Sequence, residues 1–139
     1  MKLEGIWKVS EMTCFGEEGP FWRSAEDCLN DETLDDGLKE PLGWKYLFDA
    51  DGTFTVLRPL PPELPQEEID RAAAAGQVEL FDSRTMIVEQ RPWKEENGKF
   101  YYDTGIQGEA MGEKTSPWVE IKETVDGIEL MFYRLIRDE

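Results

Sequence analysis

Aromatic side chains and arginines share faces of several alternating segments, and this combination indicates binding rather than catalysis. Residues two apart in an extended strand point to the same side, so the segment 44–48 places three aromatic rings on one face. Segments 53–58 and 128–137 each place an arginine in line with a phenylalanine. An aromatic lining with a guanidinium suits a flat or acyl ligand with an acidic head. The candidate ligand-binding residues are Trp44, Tyr46, Phe54, Arg58 and Phe132.

Each of these residues also has a structural interpretation. For an aromatic side chain taken singly, a position in a packed core is the commoner outcome. Arg58 lies at a strand end next to Pro59, so its alternative is to reach solvent. Trp93, beside a turn, has two interpretations as well: an exposed anchor for a protein partner, or a ring packed under the loop.

Catalytic and metal-binding chemistry has less support. The chain contains no histidine, which removes Ser-His and Cys-His nucleophile pairs and the commonest zinc ligand. An acidic run could offer oxygen ligands to a hard cation, but its spacing fits no cation-binding loop, and a solvated charge run is the simpler interpretation. Its members are Asp27, Asp31, Glu32, Asp35 and Asp36. We therefore expect no metal, no cofactor and no enzymatic activity, with a histidine-free carboxylate enzyme as an alternative.

The composition is that of an acidic globular protein. The 139 residues include 31 acidic and 15 basic ones, which gives a formal charge of −16. Such a surface repels polyanions, so neither nucleic acid nor an anionic membrane is an expected partner. No apolar run approaches the roughly 20 residues of a membrane span, and no signal segment precedes the first strand pattern. We expect a cytoplasmic protein in which Cys14 and Cys28 are free, mostly buried thiols.

Short antiparallel strands would position the candidate residues. The first strand alternates from residue 3 to residue 12, and the segment 44–57 is a hairpin whose loop ends at Gly52. The stretch from Thr13 to Pro41 breaks this pattern. From residue 77 to residue 137 the pattern is again all strand, with turn signals at 97–98 and 126–127.

Two helices are predicted between the strands. The clearer one runs from Glu67 to Ala75, because Pro65 suits a first turn and Gly76 suits a C-terminal cap. A shorter helix starts at the capping-box sequence Ser24-Ala-Glu-Asp27. About eight strands linked mostly by hairpins predict a mainly β fold, a single antiparallel meander β-barrel, with residues 1–139 forming one domain.

The two ends of the chain carry a family resemblance. Gly5-Ile6-Trp7 in the first strand, together with "ELMFYRLIRDE" at the other end, resembles the lipocalins and fatty-acid-binding proteins, the calycins. The resemblance is nearest to small bacterial lipocalin-like domains, and it implies a tryptophan that plugs one end of the barrel under an arginine of the last strand. The sequence departs from the fatty-acid-binding proteins at Ile136, where they have a tyrosine.

The arginine of this structural latch is expected to be Arg134. If 128–137 is one strand, Arg134 lies on its apolar face, where a charge needs a compensating interaction. Stacking of its guanidinium on the Trp7 ring would provide that interaction. Arg137, on the opposite face, is the second candidate.

Three functions follow from this interpretation. The first is a module that binds a small apolar or amphipathic ligand in the barrel interior. The second is a structural or protein-interaction domain whose barrel is filled by side chains, and the third is an enzyme without histidine. The sequence makes no prediction of oligomeric state.

Overall fold

Eight antiparallel strands close into a barrel, which confirms the mainly β fold predicted from the sequence. The structure of the protein, a computed structural model, describes residues 2–104, 108–110, 113–115 and 117–138, and for 108–110 and 113–115 the backbone alone. The strands are β1 Gly5–Gly16, β2 Gly19–Ser24, β3 Lys45–Phe48, β4 Thr53–Pro59, β5 Leu80–Asp82, β6 Thr85–Glu96, β7 Lys99–Asp103, β8 Gly108–Ala110, β9 Glu113–Thr115, β10 Trp118–Glu123, β11 Ile128–Leu130 and β12 Tyr133–Arg137. The helices are α1 Ala25–Leu29, α2 Asp36–Lys39 with a 3-10 turn at Glu40–Gly43, and α3 Gln66–Ala74.

The barrel is a ring in the order β1, β3, β4, β6, β7, β10, β11, β12, and the ladder between β12 and β1 closes it. β2 pairs with the far half of β1, beyond its pairing with β3. β5 pairs with β6 outside the ring, and β8 and β9 form a separate hairpin. Because neighbouring strands run in opposite directions, the connections divide between two ends.

The two ends of the barrel differ in their connections. The closed end carries the turns 49–52, 97–98 and 124–127, and also residues 2–4 and Asp138. The open end carries the helical segments, the β8–β9 hairpin and the β11–β12 turn.

Local signals in the sequence set most of these connections. Asn97 and Gly98 have positive φ angles of 55° and 80°, as a two-residue turn between β6 and β7 requires. The Ser24 hydroxyl accepts a hydrogen bond from the Asp27 N–H at 3.1 Å, which confirms the cap of α1. Gly76 follows α3 with a φ of 75°, as predicted for its C-terminal cap.

Strand β2 was not predicted from the sequence. The interpretation of Thr13 to Pro41 as a break in the strand pattern is wrong for its first part, because β1 continues to Gly16 and turns back into β2. The strand has little alternation of apolar and polar residues, since most of its side chains are at least partly exposed. A strand without a buried face gives no periodic signal.

The last predicted strand is in fact a hairpin. Leu130 pairs with Tyr133, so Met131 and Phe132 form a two-residue turn between β11 and β12, with Met131 at a φ of 54°. The turn changes which residues face the interior: Leu135 is fully buried, although the sequence interpretation placed Arg134 and Ile136 on the inner face. A non-glycine residue at positive φ has no local sequence signature, which is why the turn was missed.

Candidate functional site

Trp7 lies buried at the closed end of the barrel, where the family resemblance places a plugging tryptophan. Its side chain is 1% exposed, and its indole N–H donates to the Leu3 carbonyl at 2.9 Å. The guanidinium carbon of Arg137 lies 4.3 Å from the centre of the Trp7 ring. The same guanidinium donates hydrogen bonds to the carbonyls of Glu4 and Lys2. This group therefore joins the last strand to the start of the chain.

The predicted contact between Trp7 and Arg134 is wrong. Trp7 pairs with Arg137 in the β1–β12 ladder, while Arg134 pairs with Glu11 further along. Because the β11–β12 turn reverses the inner and outer faces, Arg134 lies on the outside of the barrel. There its guanidinium carbon is 4.3 Å from the Trp22 ring, and its nearest ion-pair distance to Glu11 is 3.6 Å. The second candidate, Arg137, is the residue that covers the tryptophan.

Two of the predicted ligand residues lie together inside the barrel. Tyr46 and Phe54 are buried and stack with ring centres 6.0 Å apart, and Phe48 stacks on Phe54 at 4.7 Å. Trp44 is half-buried and packs against the same core. Its indole N–H is buried and has no hydrogen-bond partner among the described residues. The aromatic rings thus fill the closed half of the barrel and reach toward the open half.

The other two predicted ligand residues lie outside the interior. Phe132 is exposed in the β11–β12 turn, so its assignment to the lining is wrong. Arg58 is part-exposed at the end of β4 and forms an ion pair with Glu40, which matches its solvent interpretation. Trp93 packs against Phe48 and donates its indole N–H to the Asp49 carbonyl at 2.8 Å, so it packs under a loop and is not an exposed anchor.

A charged pair faces the interior from the middle of β6, beside the aromatic rings. In the β4–β6 ladder Arg91 is directly opposite Phe54, and Glu89 is directly opposite Val56. Opposed residues of an antiparallel pair point to the same face, and here that is the buried one. Yet the side chains of Glu89 and Arg91 are 47% and 39% exposed. Val119, opposite the buried Tyr102, is likewise 41% exposed. Inward-facing side chains that reach solvent mark an opening of the barrel.

Three tyrosines share the inner face of the barrel with this charged pair. Burial raises the pKa of Tyr46, Tyr102 and Tyr133 above the ordinary value for tyrosine. For Tyr46 the neighbouring Tyr133 and then Glu89 add to the effect, and Glu89 also adds to it for Tyr102. Glu89 therefore lies close enough to two inner strands to act on both hydroxyls. All three hydroxyls stay neutral near pH 7 and can donate hydrogen bonds.

We call this region the barrel mouth. It contains the guanidinium of Arg91, the carboxylate of Glu89, the hydroxyls of three tyrosines and the apolar side chains of two valines. The Arg91–Glu89 pair is long, at 3.5 Å, and involves one guanidinium nitrogen, which leaves other N–H groups for a further acceptor. Its residues are Tyr46, Val56, Glu89, Arg91, Tyr102, Val119 and Tyr133.

Of the residues of the barrel mouth, the sequence analysis predicted Tyr46 alone. In a regular strand Ile87, Glu89, Arg91 and Trp93 would share one face, but a register shift at Val56 and Leu57 separates Ile87 from the other three. That pattern does not say whether the face is inner or outer, since the pairing with β4 decides it.

Comparison of this chain with protein-family models, with curated proteins and with solved structures finds no match. The barrel fits a calycin-like fold by its architecture alone. Each helix in the described part of the chain is too short or too polar to cross a bilayer. No group of three or more Cys, Asp or Glu side chains among the described residues is placed to hold a metal ion.

Both cysteines are free: Cys28 lies in α1 and Cys14 lies in β1. Cys28 is fully buried and Cys14 is partly buried against the same core. Burial, and then the proximity of Cys14, raises the pKa of the Cys28 thiol. Both observations agree with the predicted free, mostly buried thiols.

Proposed function

We propose that the barrel mouth binds a small amphipathic acid, an acyl or aromatic chain with a carboxylate or a similar head. The observation that carries the proposal is the part-exposed guanidinium of Arg91 on the inner face of β6. A charge in that position is solvent-reachable and unsatisfied by its long contact with Glu89, so an anionic head can pair with it.

The surrounding groups support the same class of ligand. Val56 and Val119 provide apolar wall, and the neutral hydroxyls of Tyr46, Tyr102 and Tyr133 can donate to an acidic head. The indole N–H of Trp44 is buried without a partner among the described residues, and an acceptor on a ligand would satisfy it. The packed closed half of the barrel limits the ligand to the open half.

The test is displacement of a fluorescent dye. Anilinonaphthalene sulfonate, an aromatic anion, should gain fluorescence with the protein, and a medium-chain fatty acid should displace it better than the alcohol or amine of equal length. Arg91→Ala should weaken fatty-acid binding by about tenfold or more, as expected for the loss of a charge-assisted hydrogen bond. Glu89→Gln should strengthen it, because it frees the guanidinium.

Arg71→Ala on α3 is the matched control, since it removes the same charge from an exposed position on a helix that is not part of the barrel wall. Equal weakening by both substitutions would show a general charge effect and would refute the site. Absence of dye binding and of acid binding would favour the alternative, a structural barrel without a ligand.

A further inference from the structure

Exposed aromatic side chains gather at one corner outside the barrel. Phe15 at 73%, Phe132 at 57% and Met131 at 62% are the exposed side chains of this corner. Phe15 and Phe132 meet edge to face with centres 6.4 Å apart. The Thr13 N–H holds the β11–β12 turn against β1 by donating to the Phe132 carbonyl at 2.8 Å. A rigid, exposed aromatic cluster of this kind is typical of an interaction surface.

An acidic groove lies next to this apolar corner on the outer face of the barrel. Its volume is about 340 Å³, and its charged lining is Glu11, Glu123, Asp126, Glu129 and Arg134. Glu129 also lines the adjoining hollow of about 260 Å³, whose other side is formed by aromatic side chains of β2. Glu11 of the groove, Thr13 of the hollow and Phe15 of the corner follow one another on the outer face of β1, so the groove leads to the corner.

The groove carries an excess of negative charge. Its one guanidinium, that of Arg134, already stacks on Trp22 and pairs with Glu11. Within the described part of the chain, the carboxylates of Glu123, Asp126 and Glu129 form no ion pair. Glu129 lies opposite Lys122 and Arg134 in the two ladders, and Glu123 and Asp126 add further negative charge beside the exposed aromatic rings.

The negative charge of this surface favours a basic partner over a second copy of the chain or an anionic membrane. A second copy of the chain would bring its own −16 charge against the acidic groove, and an anionic membrane would be repelled in the same way. We propose that the corner and the groove together bind a polypeptide segment in which lysines or arginines flank apolar side chains. Among the described strands β2 pairs with β1 alone, and its other edge offers backbone groups to an extended segment.

The test measures binding of a dye-labelled short peptide of alternating lysine and leucine, by fluorescence anisotropy at physiological ionic strength. We expect binding that is lost with a peptide of alternating glutamate and leucine and weak with a peptide of lysine and serine. The double substitution Phe15→Ser and Phe132→Ser should weaken binding by about tenfold or more, as for truncation of central aromatic anchors. Asp126→Asn with Glu129→Gln should also weaken it.

Matched substitutions elsewhere control for general charge and apolar content. Phe81→Ser removes an exposed phenylalanine from β5, and Glu67→Gln with Glu68→Gln removes two charges from the first turn of α3. Losses equal to those of the corner and groove variants would overturn the proposal, as would equal binding of the lysine–serine peptide. A dimer in sedimentation velocity that is dissociated by the Phe15 and Phe132 substitutions would also overturn it, in favour of self-association.

This surface is independent of the barrel mouth. Arg91→Ala should leave peptide binding unchanged, and the Phe15 and Phe132 substitutions should leave fatty-acid binding unchanged. Failure of one proposal can thus be told from failure of the other.

Discussion

At the scale of single residues, Gly5, Trp7 and Arg137 form one unit at the closed end. Trp7 fills the floor, and Arg137 covers its ring while bonding to backbone carbonyls at the chain start. Gly5 has a φ of 129°, and a Cβ there would lie 2.5 Å from an Arg137 nitrogen. The Gly-x-Trp sequence is therefore explained by the arginine that it accommodates.

Removing the arginine of this unit should cost stability. Arg137→Ala is expected to lower the free energy of unfolding by about 2 kcal/mol, because a stacked cation and two backbone hydrogen bonds are lost together. Arg134→Ala, which removes a part-exposed stack and a long ion pair, should cost about 1 kcal/mol or less. Urea denaturation measures both, and equal costs would contradict the assignment of Arg137 as the latch.

Gly5→Ala should be destabilising by about 1 to 3 kcal/mol, since the new methyl group meets both an unfavourable φ and the guanidinium. Gly37→Ala is the matched control: a Cβ at Gly37 meets nothing within 4 Å, and the residue lies in α2. The unfolding temperatures of both variants test this prediction. An unchanged unfolding temperature for Gly5→Ala would show that Arg137 can move away without a loss of stability.

At the scale of elements, the β11–β12 turn determines which arginine reaches the floor. Met131 and Phe132 occupy positions that usually hold glycine or asparagine, and Met131 has a left-handed conformation. A one-residue change in alternation moves every following side chain of β12 to the other face. The exposed corner at Phe132 and the buried position of Leu135 both result from this turn.

The strained turn gives a prediction of its own. Met131→Gly should raise the free energy of unfolding by about 1 kcal/mol or less, because glycine relieves the left-handed strain while losing more chain entropy. Asn97→Gly should be close to neutral, since asparagine tolerates its φ of 55°. Chemical denaturation of the two variants tests this, and a large loss for Met131→Gly would mean that its side chain is needed for packing.

The elements also separate what the sequence can predict from what it cannot. The hairpin at Gly52, the Asn97-Gly98 turn and the helix α3 were predicted because a few adjacent residues specify each of them. The choice of Arg137 over Arg134 and the inward direction of Arg91 depend on strand register between distant segments. Register of that kind is set by packing across the whole barrel, which no local window contains.

At the scale of the whole molecule, stability should depend on pH at the alkaline end. Burial raises the pKa of Tyr46, Tyr102 and Tyr133, so their folded-state values lie above those of the unfolded chain. The stabilisation is therefore complete below the ordinary tyrosine pKa of about 10 and is lost as pH rises above it, because the unfolded chain ionises first. Tyr46→Phe should flatten the fall of unfolding free energy above that pH, and an unchanged slope would argue against a buried Tyr46 hydroxyl.

The closing ladder of the barrel has a consequence for how the chain folds. The Arg137 guanidinium reaches a carbonyl that is 133 residues away in sequence, at Glu4, and the Asp138 N–H donates to the Ile6 carbonyl. Contacts between the two ends cost the most loop entropy of any in the chain, while the hairpins of β3–β4 and β6–β7 are local. We expect the hairpins to form early and the β1–β12 seam to close last. Until that moment both β1 and β12 are open edges, so the slow step of folding is also the one in which the chain is most exposed to pairing with another molecule.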